Sequence, residues 1–128
     1  MSVFTLPCLA VVAAAGLRAM WLYDRFVRAE YAEHRTAWEL DGRPGGFFWW
    51  PRECRLIRSG FARDSLYRSL LTSTPDWIAG SPQLRRCLWQ LRLSIWVAAA
   101  SAFVLAVATW GWVIVIWAQR LYRATGGA

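Results

Sequence analysis

SIWVAAASAFVLAVATWGWVIVIWA, residues Ser94 to Ala118, contains no charged side chain. As a helix rising about 1.5 Å per residue it would extend roughly 37 Å, enough to cross a hydrocarbon core of about 30 Å with some tilt. In a soluble protein of 128 residues, a helix apolar on every face for this length would have nothing large enough to bury it. The stretch therefore predicts a transmembrane helix, and the chain is best read outward from it.

A second apolar segment lies near the amino terminus, Val3 to Tyr23, VFTLPCLAVVAAAGLRAMWLY. Ala13-Ala14-Ala15 resembles a signal-peptide cleavage site, but no Lys or Arg precedes the apolar run, so the positive n-region is missing. The expectation is an uncleaved first span, with Pro7 near its start, where a missing N–H costs least. Arg18 is the odd residue in it, about 7.5 Å inside the Trp21/Tyr23 end. One reading has it snorkelling to the near interface. The other pairs it with a polar group of another helix or a lipid phosphate, because helical side chains lean toward the N-terminus and so into the membrane.

Between the spans the composition changes. The whole chain is 57% hydrophobic with ten Trp, and carries fifteen Arg, no Lys and a net charge of +7. Twelve of those arginines fall between Asp24 and Arg92, interleaved with acids. That interleaving argues against nucleic-acid binding, and arginine beside a bilayer serves topology and anionic headgroups instead. Arg85, Arg86 and Arg92 are the candidate headgroup or partner contacts, together with Arg18. The positive-inside rule places residues 24–92 in the cytoplasm and both termini outside. The expected organisation is an all-α membrane hairpin: a first span over 1–23, an Arg-rich helical region over 24–92, a second span over 93–118 and a short tail over 119–128.

Within the middle region, Val27, Tyr31, His34 and Trp38 share one helical face, so the first helix is expected to continue past the membrane to Leu40. Asp24–Arg28 and Glu30–His34 have i,i+4 spacing for mutual support. Asp41-Gly42-Arg43-Pro44-Gly45-Gly46 breaks the pattern. Phe47, Phe48, Trp49 and Trp50 follow, as an interfacial anchor or as a plug between the helical stems. Pro51 suits a helix N1 position, and Arg52 to about Thr72 reads as helix, with Gly60 a point of division. Ser73 to Gly80 reads as loop. Ser81-Pro82 is an N-cap followed by Pro at N1, and Leu84, Leu88, Leu91 and Ile95 form the stripe that leads into the second span. Two rows of small residues, Ala10/Ala14 and Ala98/Ala102/Ala106, are candidate seams where the hairpin closes or dimerises.

No catalytic constellation is visible. Glu30, Glu33 and Glu39 suit helix solvation, the single histidine, His34, suits packing, and Cys8, Cys54 and Cys87 form no CxxC pair or disulfide framework. No cofactor or metal is implied, and a non-enzymatic protein is expected.

Trp38-Glu39-Leu40-Asp41-Gly42-Arg43-Pro44, Gly45-Gly46-Phe47-Phe48, the helix from Leu56 to Tyr67 with Arg68, and Leu84-Arg85-Arg86-Cys87-Leu88 leading to Leu91-Arg92 together resemble the universal stress protein B family of small bacterial membrane proteins. The resemblance covers most of the chain, through short motifs that carry no chemistry. It implies a bacterial inner-membrane protein with a role in stationary-phase or membrane stress tolerance. It does not imply the nucleotide-binding fold of soluble universal stress proteins, and no phosphate-binding glycine loop occurs. The partners expected are anionic lipids, further copies of the chain or another membrane protein. The competing expectation is an accessory subunit of a larger respiratory, photosynthetic or transport complex.

Overall fold

The computed structural model describes residues 5–124, apart from the side chain of Leu56. The first four residues of the expected first span and the last four of the tail lie outside the described residues. The described chain is all-helical: α1 (Thr5–Glu33), α2 (Arg35–Leu40), α3 (Leu56–Thr72), α4 (Asp76–Ala79) and α5 (Pro82–Ala124). Of these, α1 and α5 are long and apolar enough to cross a membrane.

α5 begins as its sequence predicts. Ser81 Oγ accepts from the Leu84 N–H at 3.4 Å, and the Ser81 carbonyl accepts from the Arg85 N–H at 3.0 Å. The helix then runs unbroken for 43 residues. Along its first half it packs on α1. Arg18, near the middle of α1, shares a groove with Gln90. Phe26 and His34, further along, meet Trp77 just before α5 starts. Rising numbers on α1 therefore meet falling numbers on α5.

The core lies toward this end of the pair. Ala19, Leu22, Tyr23, Phe26 and Val27 of α1 are closed in by Leu66 and Leu70 of α3, Ile78 of α4, and Leu88 and Leu91 of α5. The Leu84/Leu88/Leu91/Ile95 stripe faces it. α3 presents Ser59, Ala62, Leu66 and Leu70 inward, a three- and four-residue spacing that keeps them on one side. Beyond this core the surface changes character: from Ala106 to Ala124 every residue of α5 is exposed.

Several local expectations are corrected. α1 does not continue smoothly to Leu40. It breaks at His34, whose backbone leaves the helical region at φ −130° and ψ 51°, and α2 carries Trp38 to full burial with its indole N–H on the Pro44 carbonyl at 3.0 Å. Pro51 is not an N1 residue, because α3 starts at Leu56, and Gly60 does not divide that helix. The segment from Ser73 to Gly80 contains a one-turn helix, held because Ile78 is fully buried.

α2 ends in a Schellman arrangement. The Arg43 N–H bonds the Trp38 carbonyl at 2.9 Å, and the Gly42 N–H bonds the Glu39 carbonyl at 3.2 Å. Gly42 takes the left-handed conformation at φ 86° that such an end requires, and Arg43 follows it at φ 61°.

Candidate functional site: the arginine-lined helix pair and its head

The aromatic run divides by alternation. Phe47 and Trp49 are half-buried against the core, whereas Phe48 and Trp50 are exposed. Phe47 meets Tyr23 edge-on at 5.5 Å, and Trp49 meets Tyr31 at 5.4 Å. Two arginines cover the inward pair from outside, with Arg63 over Phe47 at 4.7 Å and Arg28 over Trp49 at 5.5 Å. The chain bends at Phe47 and Phe48, with the Gly46 N–H on the Trp49 carbonyl at 2.9 Å, so plug and outward-facing surface coexist in four residues.

Asp24 holds this loop. Its carboxylate accepts the backbone N–H of Phe47 and, at 2.9 Å, that of Phe48. It therefore serves the loop, not the expected partner Arg28. Gly46 permits the approach: a Cβ there would lie 2.5 Å from Asp24 Oδ1 and 2.7 Å from the Trp49 carbonyl oxygen.

Glu30 also departs from its expected role. It is fully buried, in the part of α1 beyond the Tyr23 end of the span, and no hydrogen bond of good geometry reaches either carboxylate oxygen. Burial, reinforced by the nearby Asp41 carboxyl, pushes its pKa up to about 9, so it is a neutral acid at pH 7. Sequence spacing suggested a solvated pair with His34, but His34 stacks at a tilt on Trp77. A fully buried glutamate on an apolar face leaves no sequence signal that separates it from a solvated one.

Around α2 and the loop that follows it, charges are paired. Glu53 accepts from Tyr31 Oη at 3.0 Å and from Arg35 at 3.2 Å. Its own backbone amide, then Arg35 and Tyr31, hold its carboxyl below the usual range. Arg43 reaches Glu39 at 3.8 Å. Among the described residues no group of three His, Cys, Asp or Glu side chains converges on a metal-sized site.

The four arginines expected at lipid or partner fall into two kinds. Arg92 is committed inside the fold: Nε donates to the Leu70 carbonyl at 3.0 Å and a terminal nitrogen donates to the Ser73 carbonyl at 2.6 Å. Both acceptors belong to the C-terminal end of α3, so Arg92 caps that helix. Arg18, Arg85 and Arg86 are exposed, and their side chains make no hydrogen bond or ion pair. Arg85 and Arg86 line a shallow groove with Pro82, Trp89 and Gln90. Arg18 lines a second groove of about 300 Å³, between α1 and α5, and Gln90 borders both.

The intramolecular seam differs from the two alanine rows. On α1 it runs through Cys8, Val12, Ala15, Ala19, Leu22 and Phe26, and on α5 through Leu84, Leu88, Leu91, Ile95, Ala98, Ser101 and Leu105. Of the expected residues only Ala98 lies in it; Ala10, Ala14, Ala102 and Ala106 are exposed. A strict four-residue repeat advances about 40° around a helix at each step, so it leaves the contact line that alternating steps of three and four keep.

No family model, curated protein or solved structure matches the chain.

Proposed function

We propose that this chain is a non-catalytic integral protein of the bacterial inner membrane. In this reading α1 and α5 form a transmembrane hairpin, the region 24–92 is a folded cytoplasmic head, and both termini lie outside. Its role, following the resemblance to the universal stress protein B family, is membrane or stationary-phase stress tolerance exerted through contacts with lipid or protein.

One observation carries the membrane part of this reading. The buried core ends near Ile95, and the apolar surface of α5 beyond it has no protein cover sufficient to keep it from water. Apolar surface of this extent is unfavourable in water by roughly 25 cal/mol per Å², and hydrocarbon removes that cost. The arginines cluster on the head side of this boundary, as a cytoplasmic placement requires.

Carbonate extraction of native membranes tests integration, and reporters fused at the loop from Asp41 to Pro44 and at the carboxyl terminus test orientation. A protein released by carbonate, or a loop reporter active outside the membrane, would overturn the reading.

The accessory-subunit reading draws on the same uncovered helix, the exposure of α5 on every side from Ala106 to Ala124. Extraction in mild detergent at native expression separates the two. A particle of one or a few copies supports the self-contained protein, and stoichiometric co-elution with a large enzyme or transporter supports the subunit.

A further inference from the structure

We propose that the groove between α1 and α5 is a binding site for one anionic glycerophospholipid, with Arg18 holding its phosphate. This rests on the membrane reading above and adds a defined ligand to it.

The groove has a polar end and an apolar end. Val11, Ala14 and Val97 wall the apolar end, and Arg18 and Gln90 mark the other. Ser94 adds no free donor there, because its hydroxyl turns back to the Gln90 carbonyl at 2.8 Å. Gln90 also borders the neighbouring groove of Arg86, one helical turn closer to the head. Gln90 thus joins the groove of Arg86 to that of Arg18, which continues along Ala14 and Ala15 toward Val11 and Val97.

The charge has no internal answer. Neither the chain before Asp24 nor α5 contains an acidic residue. Asp24, the nearest acid along α1, is already engaged by the Phe47 and Phe48 amides. A guanidinium at an apolar surface is costly unless an anion meets it. An ester phosphate offers the oxygens it can bind bidentately, and the attached acyl chain fits the apolar channel. A second copy of this chain would have to bring a carboxylate, and all eight acids lie between Asp24 and Asp76, outside the expected spans.

The test uses the full chain in mild detergent, titrated with phosphatidylglycerol and with phosphatidylcholine of the same acyl chains, and read by native mass spectrometry. The wild type should retain one phosphatidylglycerol in preference to phosphatidylcholine. Arg18→Gln should weaken phosphatidylglycerol retention roughly five-fold, toward the phosphatidylcholine level, and Arg18→Lys should keep the preference. Ala14→Phe, which fills the channel and leaves the arginine, should reduce retention of both. Glycerol phosphate without acyl chains should not compete. Equal retention of the two lipids, unchanged phosphatidylglycerol binding in Arg18→Gln or Ala14→Phe, or full competition by glycerol phosphate would each overturn the proposal. Carbonate extraction on the same membranes keeps the two readings apart. A chain that resists extraction but fails the lipid test sinks the lipid site alone, and a chain that is extracted sinks the membrane reading with it.

Discussion

Arg92 donates from α5 to the carbonyl of Leu70, 3.0 Å away near the end of α3. With the second bond to Ser73, it satisfies last-turn carbonyls that a helix cannot satisfy itself, and it ties the head to the helix pair. Charge-assisted bonds of this kind contribute about 1.5–3 kcal/mol each. Arg92→Gln should therefore destabilise the head by about 1–3 kcal/mol, seen as a lowered thermal midpoint in detergent. Arg85→Gln and Arg86→Gln should leave the stability within about 0.5 kcal/mol of wild type. Equal effects at all three positions would contradict the separation of one structural arginine from two surface ones.

Glu30 makes stability depend on pH. Its folded-state pKa is raised to about 9 from an ordinary 4.5. Between these values the unfolded chain has released a proton that the folded chain retains. The associated stability is fully present below pH 4.5 and is lost as pH rises toward 9, with a limiting slope of about 1.4 kcal/mol per pH unit. Glu30→Gln should flatten this dependence and raise the midpoint at pH 8 relative to wild type. A wild-type midpoint that does not fall between pH 5 and pH 9 would show that Glu30 ionises freely.

Asp24 and Gly46 should behave as a coupled pair. Asp24→Ala removes the acceptor of two backbone amides and should cost about 1.5–3 kcal/mol. Gly46→Ala puts a methyl group 2.5 Å from the Asp24 carboxylate, and the loop must shift to admit it. Both variants should expose Trp49, giving a red-shifted tryptophan emission and faster proteolysis near Phe48. In the double variant the second change should add little, because the loop contact is already lost. Full additivity would place the two residues in independent sites.

Leucine substitutions distinguish the seam from the outer alanine rows. Ala98→Leu inserts bulk between α1 and α5 and should cost about 1–3 kcal/mol. Ala10→Leu and Ala102→Leu project outward and should leave the fold intact, changing only self-association if that face is used. Thermal midpoints and cross-linking in membranes read these outcomes separately. A destabilised Ala102→Leu monomer would relocate the seam.

Much of the helical layout was legible because it depends on short-range chemistry. The cap and proline at Ser81-Pro82 start α5 where they predict, and the break after Asp41 follows from Gly42. The stripe from Leu84 to Ile95 faces the core because a helical period is enough to place it. Less legible were residues whose role depends on what another element brings to them. Asp24 has the spacing for Arg28, yet the Gly45–Phe48 loop delivers two unpaired amides to it. Arg92 sits among arginines indistinguishable in sequence, but only it lies within reach of the open end of α3.

By itself the sequence determined the elements that local forces decide. Apolar length marks the two helices fit to cross a membrane, Gly and Pro end and start helices, and arginine distribution separates a charged middle from apolar flanks. The tertiary structure decided which equal-looking side chains do different work. It buries Glu30 and solvates Glu33, commits Arg92 and leaves Arg18, Arg85 and Arg86 free, and draws Ala98 but not Ala102 into the seam. The reason is physical: burial, hydrogen-bond reach and helix register are set by distances between segments far apart in the chain, and periodicity within one segment does not encode them.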